Sequence, residues 1–240
     1  MQGYIILLIS SFIAALISGA AGFGGALLLL PVLTLYLGVE MAVPVLTIAQ
    51  LVGNISRMSI AIKQIEWKKA GLFLITALPL TAIGAFSFVS FPKDIVTRAV
   101  GGVLIALVLL KYYNIFAFQA SNKLILFGGA AVGLLSGLAG SAGPLGAAVF
   151  LSLGLPPVAY IASEATTATA MHILKIIIYG KLIAIPLYAW IAGGIMGAAM
   201  IAGTYTAKRL ISNMSKDRFQ KYVAILLCIV GLYMLVFGAK

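Results

Sequence analysis

The chain has 240 residues, of which 63% are hydrophobic and 9% charged, with a mean hydropathy of +1.17. Soluble domains are about 45–50% apolar and about 25% charged, so the chain has too little polar surface to coat a water-soluble globule. This excludes a disordered, a disulfide-stapled and an ordinary cytosolic protein, and it implies an all-α, polytopic membrane protein. The formal charge of +11 comes from 16 Lys+Arg against 5 Asp+Glu. These charges are strung between apolar runs, so they are read against a bilayer and not against nucleic acid.

In chain order, apolar runs fall at 4–37, 42–62, 70–91, 95–118, 124–153, 158–179, 186–207 and 222–237. The start, Met1-Gln2-Gly3, lacks a basic n-region and reads as a retained membrane segment. A crossing takes about 20 apolar residues, so the first and fifth runs are too long for one. Glycines interrupt both, at Gly19-Ala20-Ala21-Gly22-Phe23-Gly24-Gly25 and at Gly137-Leu138-Ala139-Gly140-Ser141-Ala142-Gly143.

At an offset of 118 residues, Ser18/Ser136, Gly19/Gly137, Ala21/Ala139, Gly22/Gly140, Gly25/Gly143 and Leu27/Leu145 are identical. The same offset sets Asn54 against His172, Arg57 against Lys175 and Lys63 against Lys181. Near the end of each half the offset drifts to 123, where Lys93-Asp94 faces Lys216-Asp217 and Arg98 faces Lys221. The chain therefore reads as one membrane domain of two tandem repeats, 1–118 and 119–240.

Charge decides the orientation of the halves. Eight single crossings would place seven basic residues on each side, with no bias. Folding 4–37 and 124–153 back as hairpins gathers ten on one face: Lys63, Lys68, Lys69, Lys111, Lys123, Lys208, Arg209, Lys216, Arg218 and Lys221. Lys93, Arg98, Lys181 and Lys240 lie opposite. The expectation is two inverted repeats, each a glycine-broken helical hairpin plus three transmembrane helices, with both termini outside. The arms of the first hairpin are read as about 15 and 13 residues, reaching roughly mid-membrane at about 1.5 Å per residue.

A break between two half-helices frees N–H groups at the start of the second, and these favour an anion. Two such breaks in inverted repeats is a recurrent layout of transporter sites. The alternative use of these glycines is close helix packing. Thr47, Gln50, Asn54 and Arg57 form one polar stripe after the first break. Glu164, His172 and Lys175, with Thr169 at the edge, form one after the second.

Buried ionisable groups mark pathways, but each has a plainer reading. Arg57 and Lys175 come late in their helices and can snorkel. Glu164 comes early enough to reach headgroups, His172 can be a hydrogen-bonded packing residue, and Gln50 and Asn54 can bond a neighbouring helix. Three cations or bases against one internal acid favour an anionic solute over Na⁺ or a metal cation. His172 and Glu164 are the candidate proton carriers. The lone His172 cannot build a metal cluster. Cys228, in an apolar run, reads as a packed thiol with no disulfide partner. Neither a cofactor, a metal nor an enzymatic activity is expected.

At Ser18-Gly19-Ala20-Ala21-Gly22-Phe23-Gly24-Gly25, followed by Pro31 and Leu33, the sequence resembles the sulfite exporter TauE/SafE family of permeases. The helix ending Ala61-Ile62-Lys63-Gln64-Ile65-Glu66-Trp67 and the second glycine motif add to the likeness. The resemblance implies an inner-membrane, multi-pass permease for a small sulfur-containing oxyanion such as sulfite, a sulfonate or a sulfoacetate-like compound. The site would take backbone donors from Gly22, Phe23, Gly24, Gly25, Gly140, Ser141, Ala142 and Gly143. Gln50, Asn54, Thr166, Thr169 and His172 would orient the anion, and Arg57 and Lys175 would attract it or gate access. Ser141-Ala142 stands where Phe23-Gly24 stands in the first motif, and His172 where Asn54 stands, so an asymmetric site is expected. The alternatives are a passive anion channel and a carrier of a non-sulfur organic anion. The expected partners are the small anion and the lipid bilayer, with no nucleic acid; a homodimer is compatible with this reading.

Overall fold

The computed structural model describes residues 2–23, 25–88, 92, 94, 95, 98, 102, 105 and 121–238. Among the described residues the protein is all-helical. The helices are α1 (Gln2–Ala21), α2 (Gly25–Ile60), α3 (Trp67–Phe86), α4 (Asn122–Ala139), α5 (Gly143–Ser152), α6 (Pro157–Ile183), α7 (Leu187–Ile211) and α8 (Lys216–Phe237). A short 3₁₀ turn, Ile62–Gln64, joins α2 to α3. Among the described residues five stretches are long and apolar enough to cross a membrane: Met41–Ile60, Trp67–Phe86, Asn122–Ala139, Pro157–Leu182 and Leu187–Ile211. The chain is a multi-pass membrane protein. Most of the expected run 95–118 lies outside the described residues.

Both glycine motifs break the helix at the same place. α1 ends on Gly22 with φ +84°, and α4 ends on Gly140 with φ +80°. Only glycine enters this left-handed region without strain, which stops the helix and turns the chain. The arms entering the breaks are 20 and 18 residues long, longer than the half-helices expected from the sequence. The helix simply runs on to the left-handed glycine. The return arm α5 has 10 residues, which is about 15 Å.

The first return arm is joined to the next crossing within α2, where the sequence suggested a separation at 38–41. Helix is unbroken over Gly25–Ile60, yet the segment doubles back. Twenty-five residues of straight helix would put Gly25 about 37 Å from Gln50, whereas a Cβ on Gly25 would lie 2.8 Å from Gln50 Nε2. In the second half Gly154-Leu155-Pro156 interrupts the helix between α5 and α6. The residue before a proline is pushed out of the α region, so this reversal is explicit.

Packing is reciprocal between the halves. α1 lies on α7, where Gly203 admits Ala15 and Gly19 admits Ala207. α4 lies on α3, where Gly129, Gly133 and Gly137 meet Phe73, Ala77 and Thr81. Both pairs run parallel. Small residues let these backbones approach without a polar cost, as membrane helices require. Gly19 and Gly137 thus serve packing, while Gly22 and Gly140 make the breaks. α2 and α6 cross at the centre. Val43 packs with Ile178 and Tyr179 at one end, and Met58 and Ala61 pack with Val158 and Ala162 at the other. The two helices therefore run antiparallel. Cys228, on α8, is half-buried and has no disulfide partner.

Candidate functional site

The carbonyl ends of α1 and α4 are the first feature of the site. A helix C-terminus carries partial negative charge and unpaired C=O groups, which a bilayer interior cannot solvate. Two side chains answer each end. Arg57 Nη1 donates to Ser18 O at 3.1 Å and the Tyr160 hydroxyl to Ala21 O at 3.0 Å. Lys175 Nζ donates to Gly140 O at 2.7 Å and to Ser136 Oγ at 3.0 Å, and the Tyr179 hydroxyl to Gly137 O at 3.0 Å. Arg57 and Lys175 are 5% and 0% exposed, so neither snorkels. Each turns inward to cap a helix whose contacted serine lies 39 residues earlier in the chain.

With the carbonyl ends capped, the N-terminal ends of α2 and α5 face a cavity of about 40 Å³. One water needs roughly 10–15 Å³ on this scale, so the space holds about three waters or an oxyanion of similar size. Gly22, Phe23 and Gly25 from the first break and Ser141, Ala142 and Gly143 from the second line it. Gln50, Asn54 and Arg57 from α2 face Glu164 and His172 from α6 across it. Arg57 is the hub. It donates to Asn54 Oδ1 on its own helix, and its Nη1 is 3.4 Å from Glu164 Oε2 on the other. Glu164 is thus buried in a cross-helix ion pair and does not reach headgroups. Gln50 Nε2 and His172 Nδ1 are buried without a hydrogen-bond partner. Leaving such a group unpaired costs about 1–3 kcal/mol. Two such nitrogens at one cavity therefore favour a polar occupant.

Not every residue expected at the site lines this cavity. Lys175 and Gly140 are behind the wall, joined to each other. Thr166 and Thr169 bond back to Ala162 O at 2.8 Å and Ala165 O at 2.7 Å on their own helix, and do not line the cavity. Thr47, in the first polar stripe, does the same with Val43 O at 2.8 Å. Gly24 lies outside the described residues. Three polar lining residues were not singled out as site residues from the sequence: Ser18, Ser136 and Thr167. The signal for the serines was their identity at the 118 offset. The signal for Thr167 was its place between Glu164 and Met171, at spacings of 3 and 4. Among the described residues no group of three His, Cys, Asp or Glu could hold a metal.

The model of the sulfite exporter TauE/SafE family matches residues 7–234, from the first helix to the last. Neither a curated protein nor a solved structure matches the chain significantly. The match takes in both breaks, the crossing helices and every residue of the cavity, so the chain belongs to the sulfite exporter TauE/SafE family of membrane transporters.

Proposed function

We propose that the protein is an inner-membrane permease for a small sulfur-containing oxyanion, bound between the two glycine breaks and moved by alternating access. The observation that carries this reading is the cavity itself. It joins both breaks and holds Arg57 beside two buried, unpartnered nitrogens, Gln50 Nε2 and His172 Nδ1. Each nitrogen can donate, the imidazole in its Nδ1–H or protonated form. The N-terminal ends of α2 and α5 add two positive dipole ends. Asn54 and Ser141 supply further polar contacts. Lys175 contributes at one remove, by neutralising the carbonyl end of α4.

Glu164 opposes an anion at this site, because its carboxylate already occupies Arg57. Two negative charges around one guanidinium in a site with about 40 Å³ of free space are costly. In this reading the anion displaces Glu164, which takes a proton, and His172 is the second group able to carry one. Anion entry is then coupled to proton uptake.

The test is a thermal-shift and counterflow panel of sulfite, thiosulfate, sulfoacetate, sulfate and carboxylates, across the neutral pH range. Sulfur oxyanions should stabilise the purified protein, with binding weakening as pH rises because each bound anion brings a proton with it. Glu164→Gln should flatten that dependence. Gln50→Leu should lose about 1.4 kcal/mol, or tenfold, in affinity. Preference for carboxylates would give the site to a non-sulfur anion. Flux linear in concentration, without counterflow, would make the protein a channel.

We further propose that residues 1–118 and 119–240 are inverted repeats. The antiparallel crossing of α2 and α6, which correspond at the 118 offset, supports this. So do the reciprocal pairs α1–α7 and α4–α3. In a chain with Cys228→Ala, a membrane-impermeant maleimide should label Lys181→Cys in intact cells and leave Glu66→Cys unlabelled until the membrane is opened. Equal labelling of the two would overturn the inverted topology.

A further inference from the structure

Arg57 faces two cavities. The second, whose lining does not include Glu164, is a space of about 20 Å³ between the end of α2, the start of α6 and the last turns of α7. Most of its lining is apolar, including Ile60, Val158 and Ile161. The polar side chains in it are Arg57, Thr204 and Lys208, two cations and a hydroxyl, with no carboxylate. Lys208 Nζ donates to Ile60 O at 3.1 Å, closing the C-terminus of α2. An ammonium has three donors, so capping accounts for one of them. It accounts for neither the cavity nor Thr204, whose hydroxyl is buried, 4% exposed as a residue, and without a partner.

We propose that this second cavity is a relay station for the transported oxyanion, with Lys208 and Thr204 as its ligands and Arg57 as the partition shared with the inner site. This rests on the anion-permease reading above. An anion leaving the inner cavity passes from one side of the Arg57 guanidinium to the other without facing a carboxylate there. The Arg57–Glu164 pair then closes behind it. The station lies beside Ile60 and Ala61, next to the 3₁₀ turn that carries Lys63, the first turn of α3 with Lys68 and Lys69, and the last turn of α7 with Arg209. It is therefore the mouth on the basic face.

The test uses the full chain with Cys228→Ala and Thr204→Cys, purified and eluting as a single folded species. Two thiol reagents of similar size are compared, a methanethiosulfonate bearing a sulfonate and one bearing a trimethylammonium group. Rates are normalised to a free small thiol. The station predicts that the anionic reagent reacts faster by about tenfold or more, that Lys208→Gln removes the preference, and that Lys208→Arg keeps it. Equal rates, no modification of the folded protein, or a preference indifferent to Lys208→Gln would each overturn the station. Sulfite counterflow of the parent chain is measured separately. Flux with an unselective Thr204→Cys removes the station and leaves the permease. A charge-selective, Lys208-dependent Thr204→Cys without flux of any panel anion keeps an anion site at Lys208 and removes both the permease reading and the relay role.

Discussion

Arg57→Met is expected to cost about 3–5 kcal/mol of stability, because it strands the Glu164 carboxylate in a buried cavity. For a chain of this size that is a fall of about 6–20 °C in the unfolding midpoint. The loss belongs to the stranded charge and not to the pair as such. An ion pair this deep recovers little beyond the desolvation of its members. Arg57→Met combined with Glu164→Met should therefore regain most of the midpoint. It should not regain transport, since the guanidinium that lines both cavities is gone. Thermal unfolding in detergent and sulfite counterflow read the two halves of this prediction separately. A single variant as stable as the parent would mean that Glu164 is not held by Arg57. A double variant that transports would remove Arg57 from the pathway.

The second large effect is expected at the breaks. Gly140→Leu puts a side chain at φ +80° and a Cβ 2.7 Å from Val43 Cγ1. The left-handed conformation alone costs about 1–2 kcal/mol, and the contact forces α4 and α2 apart. The carbonyl of Gly140, which Lys175 holds, moves with them. Gly22→Leu repeats the insult at φ +84°, against the Tyr160 ring. Both variants should insert and lose sulfite flux. Gly71→Leu and Gly180→Leu are the controls, since a Cβ at either position meets nothing within 4 Å. They should transport as the parent does. Flux in Gly140→Leu and Gly22→Leu equal to that of the controls would take the site away from the breaks.

Much of this arrangement is legible in the sequence, for definable reasons. The breaks are legible because a left-handed helix end selects glycine, and the 118 offset repeats the selection at Gly22 and Gly140. The inward turn of Arg57 and Lys175 follows less directly. The 118 offset sets them against each other, but does not reveal that each caps a serine-bearing helix. Spacing therefore ranked Lys175 with Arg57 as a site residue, although only Arg57 lines the cavity. Thr166 and Thr169 share a stripe with His172, but a threonine can spend its hydroxyl on its own helix, and periodicity does not reveal that choice. The pairing of Arg57 with Glu164 joins residues 107 positions apart. It depends on how α2 crosses α6, which no local pattern encodes. The longer outgoing arms were missed because hydropathy marks where a run is apolar, not where its backbone turns.

The seating of α1 on α7 also sets a timetable for making the protein. The helix that receives the first one is translated nearly 190 residues later. At about 5–20 residues per second, the glycine-faced side of α1 waits about 10–40 s for its partner, whereas α3 and α4 are separated by a far shorter stretch of chain. Nascent chains ending before Leu187 should hold an α3–α4 core and a first helix whose α7-facing side is uncovered. Such chains should be open to membrane proteases until α7 emerges. A ribosome stalled just before α7 and one stalled just after it should therefore differ sharply in the protease sensitivity of residues 2–21. Quality control of the whole transporter would then be decided by the penultimate described helix, long after the first had entered the bilayer.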